Sequence, residues 1–147
     1  MSSIPKSIYV AQMKLVKVDL SNNGICDIPE EFCLNLKMLT ELNLDQNLIT
    51  SLPKQIGNLK KLKSLSLQHN KIVGQSTAYS TQNPQPLPAE LFTQTPIIDL
   101  NLTGNKMNNT QLNEFAGFDT FLERRQKLKS KNIYGGALTD LGVCGLE

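Results

Sequence analysis

The chain has 147 residues with 15 Lys and Arg against 13 Asp and Glu, so its length suits one domain and its formal net charge is only +2. A charge this small does not indicate a nucleic-acid partner, and no apolar run approaches the roughly 18 residues of a membrane-spanning helix. We therefore expect no nucleic-acid partner and no membrane-spanning helix. Aromatic residues make up 5% of the chain and Trp is absent, which favours a core of Leu and Ile.

Residues 1–14 have the sequence of the second half of a unit that recurs later in the chain. Pro5, which follows Ile, stands ten residues before Leu15, just as Pro29, which also follows Ile, stands ten residues before Leu39. We therefore predict half a repeat, without its strand, ahead of the full repeats.

Four copies of the phrase L-x-x-L-x-L-x-x-N follow, with Ile or Val replacing Leu at some positions. They span Leu15–Asn23, Leu39–Asn47, Leu62–Asn70 and Ile97–Asn105. The phrase predicts a short strand, because alternate side chains of a strand point to opposite faces and the Leu residues then share one face. A single repeat cannot bury that face, so the repeats must stack with their strands parallel.

The second half of each unit also recurs. Prolines at 29, 53 and 88 follow Ile or Leu, and they predict the start of a short convex helix or helical turn over Phe32, Ile56 and Leu91. The last two copies of the phrase are about twelve residues too far apart, which places an insertion at about 74–86. It is polar and uncharged, so the simpler interpretation is a tolerated surface loop, with contact to a partner as the alternative.

The asparagine that ends each phrase is predicted to be structural. A buried amide can both donate to and accept from the backbone of neighbouring turns, which would otherwise lack partners. The predicted asparagine ladder is Asn23, Asn47, Asn70 and Asn105.

This 23-residue unit resembles the intracellular "typical" leucine-rich repeat proteins, including the small Ras-suppressor-like and plant intracellular Ras-group families, over about Ile4–Asn105. The resemblance implies an α/β fold: a short, right-handed, curved solenoid with a concave parallel β-sheet, short helical or irregular convex segments and a C-terminal helical cap. It also implies a non-enzymatic protein that binds another protein in signalling or scaffolding.

After the repeats, Gln111–Lys131 is predicted to form one helix, because apolar residues recur at spacings of three and four. It would cover the open core of the last repeat. We therefore divide the chain into repeats at 1–110 and a C-terminal capping helix and tail at 111–147.

The same helix also offers an alternative function, because its second half is basic. The chain could be a structural subunit of a larger assembly that docks through this helix and the tail. The residues concerned are Arg124, Arg125, Lys127, Lys129 and Lys131.

The main candidate site is the concave face, where the outward strand positions form three rows. The first row is Lys17, Glu41, Ser64 and Asp99; the second is Asp19, Asn43, Ser66 and Asn101; the third is Ser21, Asp45, Gln68 and Thr103. Four carboxylates outnumber one lysine, so the face is mildly acidic. Side chains on rigid strands need little ordering on binding, so we expect another protein to bind here.

No catalytic, cofactor or metal site is predicted. His69 is the only histidine and has no recognisable nucleophile partner, and the three cysteines, Cys26, Cys33 and Cys144, show no metal-binding spacing. Extracellular leucine-rich repeat proteins usually carry cysteine-rich caps, and the three cysteines of this chain do not form one. Its first residues also lack the layout of a signal peptide. We therefore expect a cytoplasmic protein.

Overall fold

The computed structural model describes residues 3–11, 13–74, 85–130 and 143–145. Most of the insertion predicted at about 74–86, most of the tail, and Lys131 lie outside these residues. The described chain contains four short strands, β1 (Lys17–Asp19), β2 (Glu41–Asn43), β3 (Ser64–Ser66) and β4 (Asp99–Asn101). They form one parallel sheet in the order β1-β2-β3-β4, as the repeat pattern predicted.

Short helices connect the strands on the convex side. They are α1 (Lys6–Val10), α2 (Glu30–Asn35), a 3₁₀ helix (Lys54–Asn58) and α3 (Ala89–Thr93). Each begins directly after a proline, at positions 5, 29, 53 and 88, whose fixed φ suits the residue that precedes a helix. The predicted solenoid is confirmed in its parallel sheet and its helical convex segments.

The core lies between the sheet and the convex helices. The central residues of three strands, Leu42, Leu65 and Leu100, point inward and are at most 5% exposed. Phe32 and Ile56 reach the same core from the convex side and are fully buried. A fully buried side chain of this size contributes about 1.5–3 kcal/mol, so stacking the repeats supplies the stability that one repeat lacks.

The recurrence of asparagine at the end of each phrase has a visible cause in hydrogen bonding. Asn47 Oδ1 accepts from the backbone N–H of Ile25 at 2.9 Å, while its Nδ2 donates to the carbonyls of Leu20 and Leu44 at 3.0 and 2.9 Å. The amide therefore ties its own repeat to the preceding one. The same bonding across two repeats is made by Asn70 and Asn105.

The prediction of one helix over Gln111–Lys131 is wrong. The structure has two helices there, α4 (Asn109–Asn113) and α5 (Phe118–Ser130). The break has a physical reason, since Gly117 adopts φ +88° and a Cβ at this position would lie 3.1 Å from the carbonyl oxygen of Ala89.

The apolar side chains of this region nevertheless cover the last repeat, as expected. Phe118 and Phe121 pack against Phe92 of α3, with ring centroids 5.5 and 6.0 Å apart. All three rings are at most 2% exposed. The two helices therefore close the C-terminal end of the solenoid.

Candidate functional site

The predicted rows of outward side chains lie side by side on the sheet. We call these twelve residues the concave strip: Lys17, Asp19, Ser21, Glu41, Asn43, Asp45, Ser64, Ser66, Gln68, Asp99, Asn101 and Thr103. The register pairs the first two rows across the four strands. Backbone bonds past the strand ends, such as Asn22 N–H to Asp45 O at 3.0 Å, align the third row as well.

The part of the concave strip on β1 to β3 is open. A depression of about 400 Å³ lies there, lined mainly by Lys17, Asp19, Glu41, Asn43, Ser64 and Ser66. The Lys17 ammonium lies 3.5 Å from the Glu41 carboxylate, and both side chains are more than half exposed. An exposed pair of this kind contributes little to stability, so both groups remain available to a partner.

Two aspartates of the open part are held in place by hydrogen bonds. Ser21 donates to Asp19 Oδ1 from both its backbone N–H and its hydroxyl, and these bonds lower the pKa of the Asp19 carboxyl. Asp45 reaches across to the next repeat, where it accepts from the Ser66 hydroxyl at 2.5 Å and from the Gln68 backbone at 2.8 Å. The repeat pattern gives no sign of this second role, in which Asp45 stiffens the surface as well as charging it.

The part of the concave strip on β4 is different, because other segments of the chain engage it. Asp99 lies 3.9 Å from the guanidinium of Arg125 on α5. Burial raises the pKa of the Asp99 carboxyl, and the charge of Arg125 offsets part of that rise. The Asp99 carboxylate thus has Arg125 beside it, but its side chain is 51% exposed and stays accessible at the surface.

A short segment near the C-terminus, Val143–Gly145, closes the edge of β4. The backbone N–H of Leu102 donates to the Cys144 carbonyl at 2.7 Å. In the preceding repeats Leu44 and Leu67 donate from the equivalent position to the next strand. The segment therefore occupies the place of a fifth strand. It lies against Thr103, whose hydroxyl oxygen is 3.3 Å from Gly145 O and donates to Asn101 Oδ1 at 2.7 Å.

Only the tertiary structure shows this contact, and the one sign of it in the sequence is the glycine at position 145. Gly145 has φ +74°, and a Cβ there would lie 2.0 Å from the Thr103 hydroxyl oxygen. Glycine is the residue that tolerates both conditions. Cys144 and Gly145 thus pack directly against the last strand and the residues that follow it.

The basic residues proposed for docking differ in whether they bond to the last repeat or face solvent. The Arg124 guanidinium donates to the carbonyls of Ile97 and Phe92 at 2.7 and 2.8 Å, so it joins α5 to the last repeat. Arg125 donates to Ile98 O at 2.6 Å. Lys127 is exposed, whereas the side chain of Lys129 and all of Lys131 lie outside the described residues.

The two buried cysteines, Cys33 and Cys144, are poorly suited to nucleophilic chemistry. Burial raises the pKa of the Cys33 and Cys144 thiols to about 12, so both stay protonated near neutral pH. Within the described residues, no group of three or more His, Cys, Asp and Glu lies close enough to hold a metal ion. No helix among them is long and apolar enough to cross a membrane.

Comparison with known proteins matches residues 13–72 to the leucine rich repeat family. Mouse (Mus musculus) Tsukushi is 32% identical over 102 residues, which are 67% of this chain and 25% of Tsukushi. The plant intracellular Ras-group-related LRR protein 8 of Arabidopsis thaliana is 45% identical over 51 residues, which are 35% of this chain and 13% of that protein. The chain thus spans a quarter or less of the length of these two relatives.

A solved structure shows the same architecture. An LRR protein of Leptospira interrogans superposes with a TM-score of 0.51 at 26% sequence identity. The match covers 71% of this chain and 29% of that protein. The stacked parallel strands and convex helices described above are therefore similar to an experimentally known repeat architecture.

Proposed function

Because the chain is a leucine-rich repeat protein, we propose that it is a non-enzymatic module that binds another protein through the concave strip. The family supports a protein–protein interaction module in general. The observation that favours the concave strip is the alignment of its side chains in three rows on one rigid sheet. Side chains fixed before binding lose little conformational freedom when a partner docks.

We place the centre of the contact on β1 to β3. On β4, Asp99 is paired with Arg125, and Thr103 is in contact with Val143–Gly145. The open depression beside Lys17 and Glu41 has no such cover among the described residues. A partner therefore meets polar side chains that no other described segment covers in the first three repeats, whereas in the fourth Thr103 already contacts Val143–Gly145 and the half-exposed Asp99 has Arg125 beside it.

A cytoplasmic location with a role in signalling or scaffolding fits this proposal. The name of the Arabidopsis relative describes an intracellular LRR protein, which is 45% identical over 51 residues. The alternative, a structural subunit docking through α5 and the tail, has less support, because Arg124 and Arg125 are bonded to the last repeat. Of its proposed basic residues, Lys127 has an exposed side chain within the described part of the chain.

The test is affinity capture with matched baits. Glu41→Lys/Ser64→Arg changes two concave positions whose side chains make no hydrogen bond among the described residues, so the fold should be retained. Glu31→Lys/Ser51→Arg makes the same chemical changes at exposed positions away from the strip. We expect the concave variant to lose partners that the wild-type chain and the control variant both retain.

Two results would contradict the proposal. One is equal capture by all three baits, and the other is equal loss from both variants. Thermal unfolding of each bait serves as the folding control, since surface substitutions of this kind usually change stability by about 0.5 kcal/mol or less. A partner lost only when α5 residue Lys127 is changed to Glu would favour the assembly-subunit alternative.

A further inference from the structure

One side of the solenoid, where the convex segments turn into the strands, carries a row of lysines. We call it the lysine rim, and it consists of Lys37, Lys60, Lys61 and Lys63. The turns have the same conformation in successive repeats, since the backbone N–H groups of Lys37 and Lys60 both donate two residues back at 3.0 Å. The turns also stack, because Lys63 N–H donates to Thr40 O at 2.9 Å. The repeats thus place these lysines on neighbouring rungs of one rim.

Among the described residues, no lysine of the rim is in an ion pair, and the Lys60 ammonium has a neutral partner, Gln94 O at 3.5 Å. All four side chains are exposed. Within the described residues, the two ion pairs are Lys17 with Glu41 and Arg125 with Asp99, neither of which involves the rim. The stretch 46–89 contains Lys54, Lys71 and three rim lysines but no Asp or Glu. The rim is therefore a cationic edge, in contrast to the more acidic concave strip.

Apolar side chains are exposed among these lysines. Met38 is 41% exposed, and its sulfur lies 3.6 Å from the Lys61 ammonium nitrogen. Leu34, in the last turn of α2, is 43% exposed and precedes Met38 by four residues in the sequence. An edge that combines lysine ammonium groups with exposed aliphatic side chains has the chemistry of a peripheral membrane-binding surface.

We propose that the lysine rim, together with Met38 and Leu34, docks this protein on an anionic phospholipid surface. Lysine is a point charge without the planar fork of arginine, so a row of lysines suits many headgroups of variable position. The aliphatic side chains gain by entering the headgroup region, a gain that a nucleic acid does not offer. The docking uses different residues from the concave strip, so it would leave that strip accessible to a protein partner.

The experiment is co-sedimentation of the full chain with vesicles of pure phosphatidylcholine and with vesicles that also contain phosphatidylserine. The rim variant is K37Q/K60Q/K61Q/K63Q. The matched control is K6Q/K54Q/K71Q/K106Q, which removes four exposed lysines elsewhere and brings the formal net charge from +2 to the same −2 (2 − 4). Any difference between the two variants then reports position and not total charge.

We expect the wild-type chain to bind only the anionic vesicles, and the rim variant to bind them more than about tenfold more weakly. The control variant should keep most of the affinity, and added salt should weaken wild-type binding. Failure of the wild-type chain to bind anionic vesicles would overturn the proposal, as would equal loss in both variants. Rim-dependent binding to polyglutamate or to RNA, without binding to vesicles, would assign the rim to another class of partner and also overturn it.

Discussion

The two ends of the solenoid are built differently. At the C-terminal end, the rings of α5 pack on α3, Arg124 bonds to the last repeat, and Val143–Gly145 pairs with the edge of β4. At the N-terminal end, Ile4, two residues before α1, and Tyr9 of α1 are buried on the convex side. On the sheet side, β1 has β2 as its one neighbour among the described strands.

Exposure of apolar side chains follows the same division. Among the described residues, the large apolar side chains Val10, Met13 and Val16 at the N-terminal end are 53, 52 and 45% exposed, and the other exposed ones, Leu34, Met38 and Leu48, all lie in the first half of the chain. At the C-terminal end the large apolar side chains Phe115, Phe118 and Phe121 are buried. The comparison teaches that the repeat unit builds the middle of the solenoid, while the stability of each end depends on the segment that flanks it.

The largest expected difference between the ends is in packing. Phe121→Ala should lower the free energy of unfolding by about 3–5 kcal/mol, because it leaves a cavity against Phe92 and Phe118. Val10→Ala, at the exposed N-terminal end, should change it by about 0.5 kcal/mol or less. Urea unfolding of both variants measures the two values. Similar losses from the two substitutions would contradict a difference in packing between these two described ends.

The asparagine ladder allows a second comparison along the same axis. Asn47 is buried and bonds to two repeats, whereas the Asn23 amide nitrogen donates to Leu20 and Ser21 of its own repeat. Asn47→Ala leaves buried backbone groups without hydrogen-bond partners and should destabilise the chain by about 2–3 kcal/mol, while Asn23→Ala should destabilise it by about 1 kcal/mol.

Urea midpoints of the two asparagine variants provide the measurement. Equal destabilisation would show that the N-terminal repeat is as tightly bonded as the interior ones. A larger loss from Asn23→Ala would reverse the order that the hydrogen bonds indicate.

The C-terminal segment gives a smaller and more local effect. Gly145→Ala introduces a side chain at φ +74° and a Cβ 2.0 Å from the Thr103 hydroxyl, so it should release Val143–Gly145 at a cost of about 1 kcal/mol. Amide hydrogen exchange at Leu102 should then become faster. The Leu67 amide, which donates to Asn101 O, is the internal control and should be unchanged. Unaltered exchange at Leu102 would show that the segment does not protect the edge of β4.

The middle of the solenoid was predictable from sequence because its geometry is periodic. Once Leu39 and Leu62 are matched, the register of β2 and β3 follows, and the outward rows follow from the register. The asparagine positions were predictable for the same reason, since each ends a phrase. The candidate surface could be assigned to residues without knowledge of the structure.

The ends were not predictable, because periodicity contains no information about them. Arg124 and Arg125 lie in a basic run that is typical of a solvated helix end, and their bonds to carbonyls of the last repeat depend on where α5 packs. Phenylalanines at 115, 118 and 121 suit one helix as well as two, so the break at Gly117 was missed. Nothing in the spacing of the repeats indicates that Cys144 completes the backbone ladder.

The smallest expected effect concerns two aspartates of the concave strip at opposite ends. Hydrogen bonds from Ser21 lower the pKa of Asp19 below its ordinary value of 3.8, whereas burial raises the pKa of Asp99 above it. The folded state therefore holds the Asp19 proton less tightly than the unfolded state, and the Asp99 proton more tightly. The Asp19 contribution to stability is present above pH 3.8 and is lost as the pH falls through its lower folded pKa. The Asp99 contribution has the opposite sign and is lost as the pH rises from 3.8 through its higher folded pKa.

Carboxyl carbon chemical shifts, followed by NMR as a function of pH, measure both groups in one sample. We expect Asp99 to titrate at a higher pH than Asp19. Arg125→Gln should move the titration of Asp99 further upward, because it removes the charge that offsets burial, and it should leave Asp19 unchanged. A downward shift of the Asp99 titration in this variant would mean that Arg125 acts mainly by holding α5 over the carboxyl and desolvating it, since its removal would then hydrate Asp99. The sign of this one shift thus separates the electrostatic role of Arg125 from its role in closing the C-terminal end.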